Sequence, residues 1–110
     1  MSVWDRRDAE LQRYREAAVQ AVGECLPRAL ELLRSCGCTE VWLVGSFAAG
    51  TPGPTSDVDL LVRALPTAAR SDCVDALEHL FRRQVDLAEL ERVPPERLHL
   101  AMAGGRRLYP

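Results

Sequence analysis

The strongest constraint in this chain is the stretch from Val41 to Arg63, VWLVGSFAAGTPGPTSDVDLLVR. Two apolar β-type runs, Val41 to Val44 and Val58 to Val62, flank a Gly45-Ser46 corner, a loop rich in glycine and proline, and the acidic residues Asp57 and Asp59. Alternate residues of a strand share a face, so these two carboxylates project together with Cα atoms about 6.6 Å apart. Like charges at that spacing repel unless a cation lies between them. Hard cations such as Mg²⁺ take oxygen ligands, a carboxylate or two completed by substrate phosphates and water, and two ions can share a bridging carboxylate in phosphoryl transfer. At the other end of the loop, glycine lets the backbone approach a ligand closely. The N–H groups of the following turn, with the Ser46 hydroxyl, suit a phosphate.

The rest of the composition narrows the setting. A chain of 110 residues can build one small core, and the reading is a single domain over 1–110 with 1–36 as an N-terminal helical segment. The net charge of −2, with signs interspersed, gives no broad basic surface, so nucleic acid is not the expected partner. Cys25, Cys36, Cys38 and Cys73 follow no zinc-site spacing, because Cys36-x-Cys38 is too tight for the usual pair and no second pair follows. The charged N-terminus from Asp5 to Glu10 lacks a signal-peptide core, and no apolar run reaches membrane-spanning length. The expectation is a cytoplasmic protein with free thiols, in no contact with a membrane.

Leu11, Tyr14, Ala18, Val22, Cys25, Ala29 and Leu33 recur at steps of three and four, which predicts an amphipathic helix. Pro27 cannot donate to the Gly23 carbonyl, so a break or kink is expected between them. This helix reads as a cover for one face of a sheet, with a partner-binding element as the other reading. A strand over Glu40 to Gly45, a short helix over Ser46 to Gly50, a connecting loop and a strand over Asp57 to Arg63 follow. A further helix carries Cys73, Val74, Leu77, Leu80 and Phe81 on one face, leaving His79 in solvent, and Gln84 to Leu90 forms the next strand. Asp86 within it either sits at an edge in water or faces the acidic pair. Pro94 and Pro95 open a final helix that ends at Gly104-Gly105, and Arg106 to Tyr109 form an extended segment. His99 has no partner in the pattern. The fold class is α/β, a small mixed sheet covered by helices.

The order hydrophobic-Gly-Ser, a ten-residue spacer, then Asp-hydrophobic-Asp-hydrophobic resembles the signature of the DNA polymerase β-type nucleotidyltransferase superfamily. The wording GSFAAG and SDVDLLV is most similar to its small branch, the minimal nucleotidyltransferases. The later VDLAEL supplies a third acidic residue, Asp86, and the end, Gly104-Gly105-Arg106-Arg107-Leu108-Tyr109, is similar to a Gly-x-x-Leu-Tyr ending found there. The resemblance implies transfer of a nucleoside monophosphate, most simply AMP from ATP, to a hydroxyl. It implies that Asp57, Asp59 and Asp86 hold two Mg²⁺ ions and carry the catalysis, and that Gly45 and Ser46 bind the nucleotide's phosphates. It also implies a partner, a small helical HEPN-domain toxin, for which this chain is the adenylylating antitoxin. The family pattern Gly-Ser-x-Ala-Arg-Gly departs here at Ala49, where the arginine is missing. That departure keeps open a binding module of the same fold that neutralises its partner by occlusion. A separate rival is an enzyme that adenylylates a small molecule, which needs an acceptor pocket that so short a chain has little room to build.

Overall fold

The computed structural model describes residues 3–109, with side chains from residue 6 onward; residues 1, 2 and 110 of the expected domain lie outside the described residues. Helix α1 spans Val3–Ser35 and is followed by strand β1, Glu40–Val44, and the short helix α2, Gly45–Ala49. Strand β2, Val58–Arg63, leads through a 3-10 turn, Thr67–Ala69, into α3, Arg70–Phe81. Strand β3, Val85–Glu89, helix α4, Pro95–Ala103, and strand β4, Arg106–Tyr109, complete the order.

The expected break at Pro27 is absent, and α1 runs through it as one helix. Gly23 and Pro27 both lie on the exposed side, so the carbonyl that proline leaves unpaired faces water. An interior proline costs about 3 kcal/mol. On the opposite side Val22, Leu26, Ala29 and Leu33 are buried, and each large apolar side chain so covered contributes roughly 1.5–3 kcal/mol. Packing therefore outweighs the lost hydrogen bond. Leu26, absent from the expected stripe, joins it, whereas Leu11 is 38% exposed, so the packed stripe begins at the half-buried Tyr14.

The sheet has four strands in the order β3-β2-β1-β4. β1 pairs antiparallel with β2 and β4, and β2 pairs parallel with β3. A parallel pair needs a crossover, which the 3-10 turn and α3 supply. Alternation divides each strand between two cores. Val41 and Leu43 of β1, Val58, Leu60 and Val62 of β2, and Val85 and Leu87 of β3 enter the larger core with α1, Phe47 of α2 and α3. Their neighbours in sequence turn to the other face, where Val44, Leu61 and Leu90 are buried against Trp42, Ala88 and the α4 residues Leu98, Ala101 and Met102. Helices thus cover both faces of a small mixed sheet.

Strand β3 is an edge, and exposed edges invite unwanted pairing. Here α3 satisfies it: Glu78 Oε2 accepts the Val85 N–H at 3.0 Å, and the Arg70 guanidinium donates to the Leu87 carbonyl. The strand that carries Asp86 is held from both sides.

Candidate functional site

The register of the ladder decides where the acidic residues meet. Asp59 of β2 lies opposite Val44 of β1 and beside Asp86 of β3. Residues aligned on adjacent strands share a face, so Asp59 and Asp86 stand on the α4 side of the sheet, with Leu61 and Ala88 next along their strands. Asp57 immediately precedes β2 and is half-buried. The ionisation of Asp59 registers all three groups: burial first, then the charge of Asp86, then that of Asp57, raise its pKa above the ordinary aspartate value. The three carboxylates therefore share one region of negative potential.

Asp59 and Asp86 line a single cavity of about 510 Å³, whose wall also includes Gly45, Ala49, Leu100 and Gly104. Asp57 opens instead on a neighbouring groove of about 520 Å³ with Arg82 and Arg83. Ser46 is half-buried and is not part of the 510 Å³ cavity wall. Among the described residues, no three Asp, Glu, His or Cys side chains stand close enough to hold a metal ion as they are.

Gly45 explains how the site packs. Its φ of 74° lies in the left-handed region, and a Cβ there would sit 2.2 Å from Asp59 Oδ2. Glycine both turns the chain out of β1 and leaves room for the carboxylate. The first-turn N–H groups of α2 that follow have no side-chain cap.

The loop between α2 and Asp57 is anchored. Pro52 is fully buried, the Gly53 N–H donates to Ser56 Oγ at 2.8 Å, and the Ser56 N–H returns a bond to the Gly53 carbonyl at 3.2 Å. Arg83 adds a clamp: its guanidinium donates to the Ser56 carbonyl at 3.2 Å and to the Tyr14 hydroxyl at 2.7 Å, and lies 5.1 Å from the Phe47 ring centroid. One side chain joins α1, α2 and the residue before Asp57. Sequence reasoning missed Arg83, since an arginine after a helix carries no periodic signal. It also missed the α4 wall, for which the apolar run Leu98, Leu100 and Met102 was the available cue. His79 is exposed, as its position off the apolar stripe of α3 predicts, and His99 is exposed on α4. No described helix is long and apolar enough to cross a membrane.

Among solved structures, the fold is similar to a proposed minimal nucleotidyltransferase at a TM-score of 0.75 and 24% identity, over 82% of this chain and 95% of that one. A toxin-antitoxin structure with AMP-PNP matches at a TM-score of 0.65 and 27% identity, over 73% of this chain and 68% of that one. A complex of tri-AMPylated Shewanella oneidensis HEPN toxin with MNT antitoxin matches at a TM-score of 0.58 and 20% identity, over 86% and 71% of the respective chains. No curated protein matches. The family model of the nucleotidyltransferase domain matches residues 26–103, which includes β1 to α4 and the whole acidic cluster, and the chain belongs to that family.

Proposed function

We propose that this protein transfers AMP from ATP to a hydroxyl on a partner protein, a small helical HEPN-domain toxin, and acts as its antitoxin in the cytoplasm. The observation that carries the reading is the alignment of Asp59 with Asp86 beside Gly45, in a cavity that also feels the charge of Asp57. Family membership supports the reaction class, and the similarity to a toxin-antitoxin structure with AMP-PNP supports the nucleotide. The similarity to a complex of AMPylated HEPN toxin and MNT antitoxin supports the partner.

The donor set fits Mg²⁺. All three side chains offer carboxylate oxygen, which hard cations prefer, and their mutual repulsion is what a cation relieves. When bound, two such ions supply charge neutralisation at the triphosphate and lower the pKa of the attacking hydroxyl. Asp57, Asp59 and Asp86 are the residues that would hold such ions, and Asp86, the exposed member, would take the proton of the acceptor hydroxyl. Gly45, at the cavity wall, would present its backbone N–H to the β- and γ-phosphates, and Ser46, outside that wall, would add its hydroxyl from the turn that follows. Positioning of the triphosphate in line with the acceptor then accounts for most of the catalysis.

A second reading has a specific observation behind it. Ala49 lines the cavity where the family pattern carries arginine, so the same fold acting as an occluding module remains a competitor. Incubation with labelled ATP, Mg²⁺ and the candidate toxin separates the two. Label transferred to the toxin by the wild type and lost in Asp57→Asn supports the enzyme. Full neutralisation with no label transferred supports the module.

A further inference from the structure

Away from the acidic cluster, three of the four cysteines gather where α1 ends and α3 begins. Cys36 follows the last turn of α1 and is half-buried; Cys73 lies in the first turns of α3 and is buried. Their sulfurs stand 2.7 Å apart, although 37 positions separate them in the chain. Unbonded thiols do not ordinarily pack so closely, and a disulfide needs only about 0.7 Å of further approach, to roughly 2.05 Å. Cys38 is buried nearby and Cys25 is occupied elsewhere, with its thiol toward the Leu80 carbonyl at 3.6 Å.

We infer that Cys36 and Cys73 form an oxidisable thiol pair, a modification site that closes to an intramolecular disulfide on exposure to a hydroperoxide. The half-buried Cys36 opens the reaction. Cys73 and Cys38 are buried, and burial raises both thiols above the ordinary cysteine value, so Cys36 supplies the sulfur that the oxidant reaches. Cys36 sulfur attacks the peroxide, the O–O bond breaks, an alcohol (or water, from hydrogen peroxide) leaves with the thiol proton, and Cys36 becomes a sulfenic acid. Cys73 sulfur then attacks Cys36 Sγ. The S–S bond forms, the S–O bond breaks, and the hydroxide leaves as water with the Cys73 proton. Two thiols lose two electrons in all, and one hydroperoxide gains them.

The bond would tie the end of α1 to α3 and enclose β1, Gly45, Asp57 and Asp59 in one covalent loop. Constraint of a loop that long in the unfolded chain raises the melting temperature by about 10 °C or more.

The test uses the reduced full chain, treated with hydrogen peroxide, blocked with N-ethylmaleimide and digested with trypsin without reductant. The expected product is a monomer lighter by two hydrogens, with peptides 35–63 and 71–82 joined. The first of these peptides contains both Cys36 and Cys38, so variants assign the bond. The linkage persists in Cys38→Ser and is lost in Cys36→Ser. Survival of the linkage in Cys36→Ser, joining of two chains instead of one, or alkylation of all four thiols overturns the proposal. So does oxidation that leaves the melting temperature unchanged or lower.

Discussion

The two ends of the β1/β2 ladder treat their carboxylates in opposite ways. At one end Glu40 is opposite Arg63 and is fully partnered: its oxygens accept from Trp42 Nε1 at 2.7 Å and Arg63 Nε at 3.0 Å, and Arg107 lies 4.0 Å away. The Trp42 bond first, then the Arg63 bond, lower its pKa below the usual glutamate value. At the other end Asp59 is opposite Val44, with burial and two like charges raising its pKa. The same short ladder satisfies one charge and frustrates another. Sequences that fold well keep local choices consistent, and the exceptions concentrate where the chemistry is. The contrast supports the proposal that the site is at the Gly45 end, where a ligand has something to relieve.

The largest effect should follow from removing the space that Gly45 provides. Gly45→Ala forces a non-glycine residue to a φ of 74°, at a cost of roughly 1–2 kcal/mol. The Asp59 carboxyl must swing away from the new methyl, which would also lie 3.3 Å from the Asp59 Cβ, so a further loss of stability accompanies the displacement. Displacement of that carboxylate is expected to reduce transfer on the order of 100-fold, read by labelled-ATP assay alongside a denaturation curve. At the satisfied end, Glu40→Ala removes the Trp42 bond and an ion pair whose arginine is 48% exposed. Unfolding free energy should fall by about 1–2 kcal/mol, with most of the loss from the tryptophan bond, and transfer should be unchanged. Because the Glu40 pKa is lowered on folding, its contribution is complete above the ordinary glutamate range and vanishes as pH falls through the folded value. The melting curves of variant and wild type should converge in acid.

The smallest effect has the opposite sign. Asp59→Asn removes repulsion between partly exposed charges and should stabilise the protein by about 0.5 kcal/mol, some 2–4 °C, at neutral pH. The raised pKa of Asp59 means that the wild type recovers this deficit as pH falls through a value above the normal aspartate range. A destabilising Asp59→Asn at neutral pH would show that the two ends of the ladder are alike.

Much of this was legible in the residues. The apolar runs from Val41 and Val58 became adjacent strands, but the expected common face of Asp57 and Asp59 did not follow from their i, i+2 spacing, because Asp57 precedes β2 and opens on a neighbouring groove. The strand carrying Asp86 was legible, but its alignment with Asp59 depends on the parallel register that α3 imposes, a tertiary outcome with no local signature. Pro27 does not break α1 because Gly23 and Pro27 both face water, and the local rule for an interior proline carries no information about which side of a helix is solvated. Arg83 was invisible for a related reason: its partners Tyr14, Phe47 and Ser56 come from three separate elements, and only the folded chain assembles them.

The claim that the unsatisfied end of the ladder is a metal–nucleotide site is tested most directly by calorimetric titration with Mn²⁺ and a non-hydrolysable ATP analogue. The wild type and Glu40→Ala should bind the analogue equally in the presence of metal, and lose that binding when the metal is chelated. Asp59→Asn and Asp86→Asn should each bind at least about ten-fold more weakly, since each deletes one anionic oxygen donor. Equal affinity in all four proteins, or binding indifferent to metal, would contradict the account.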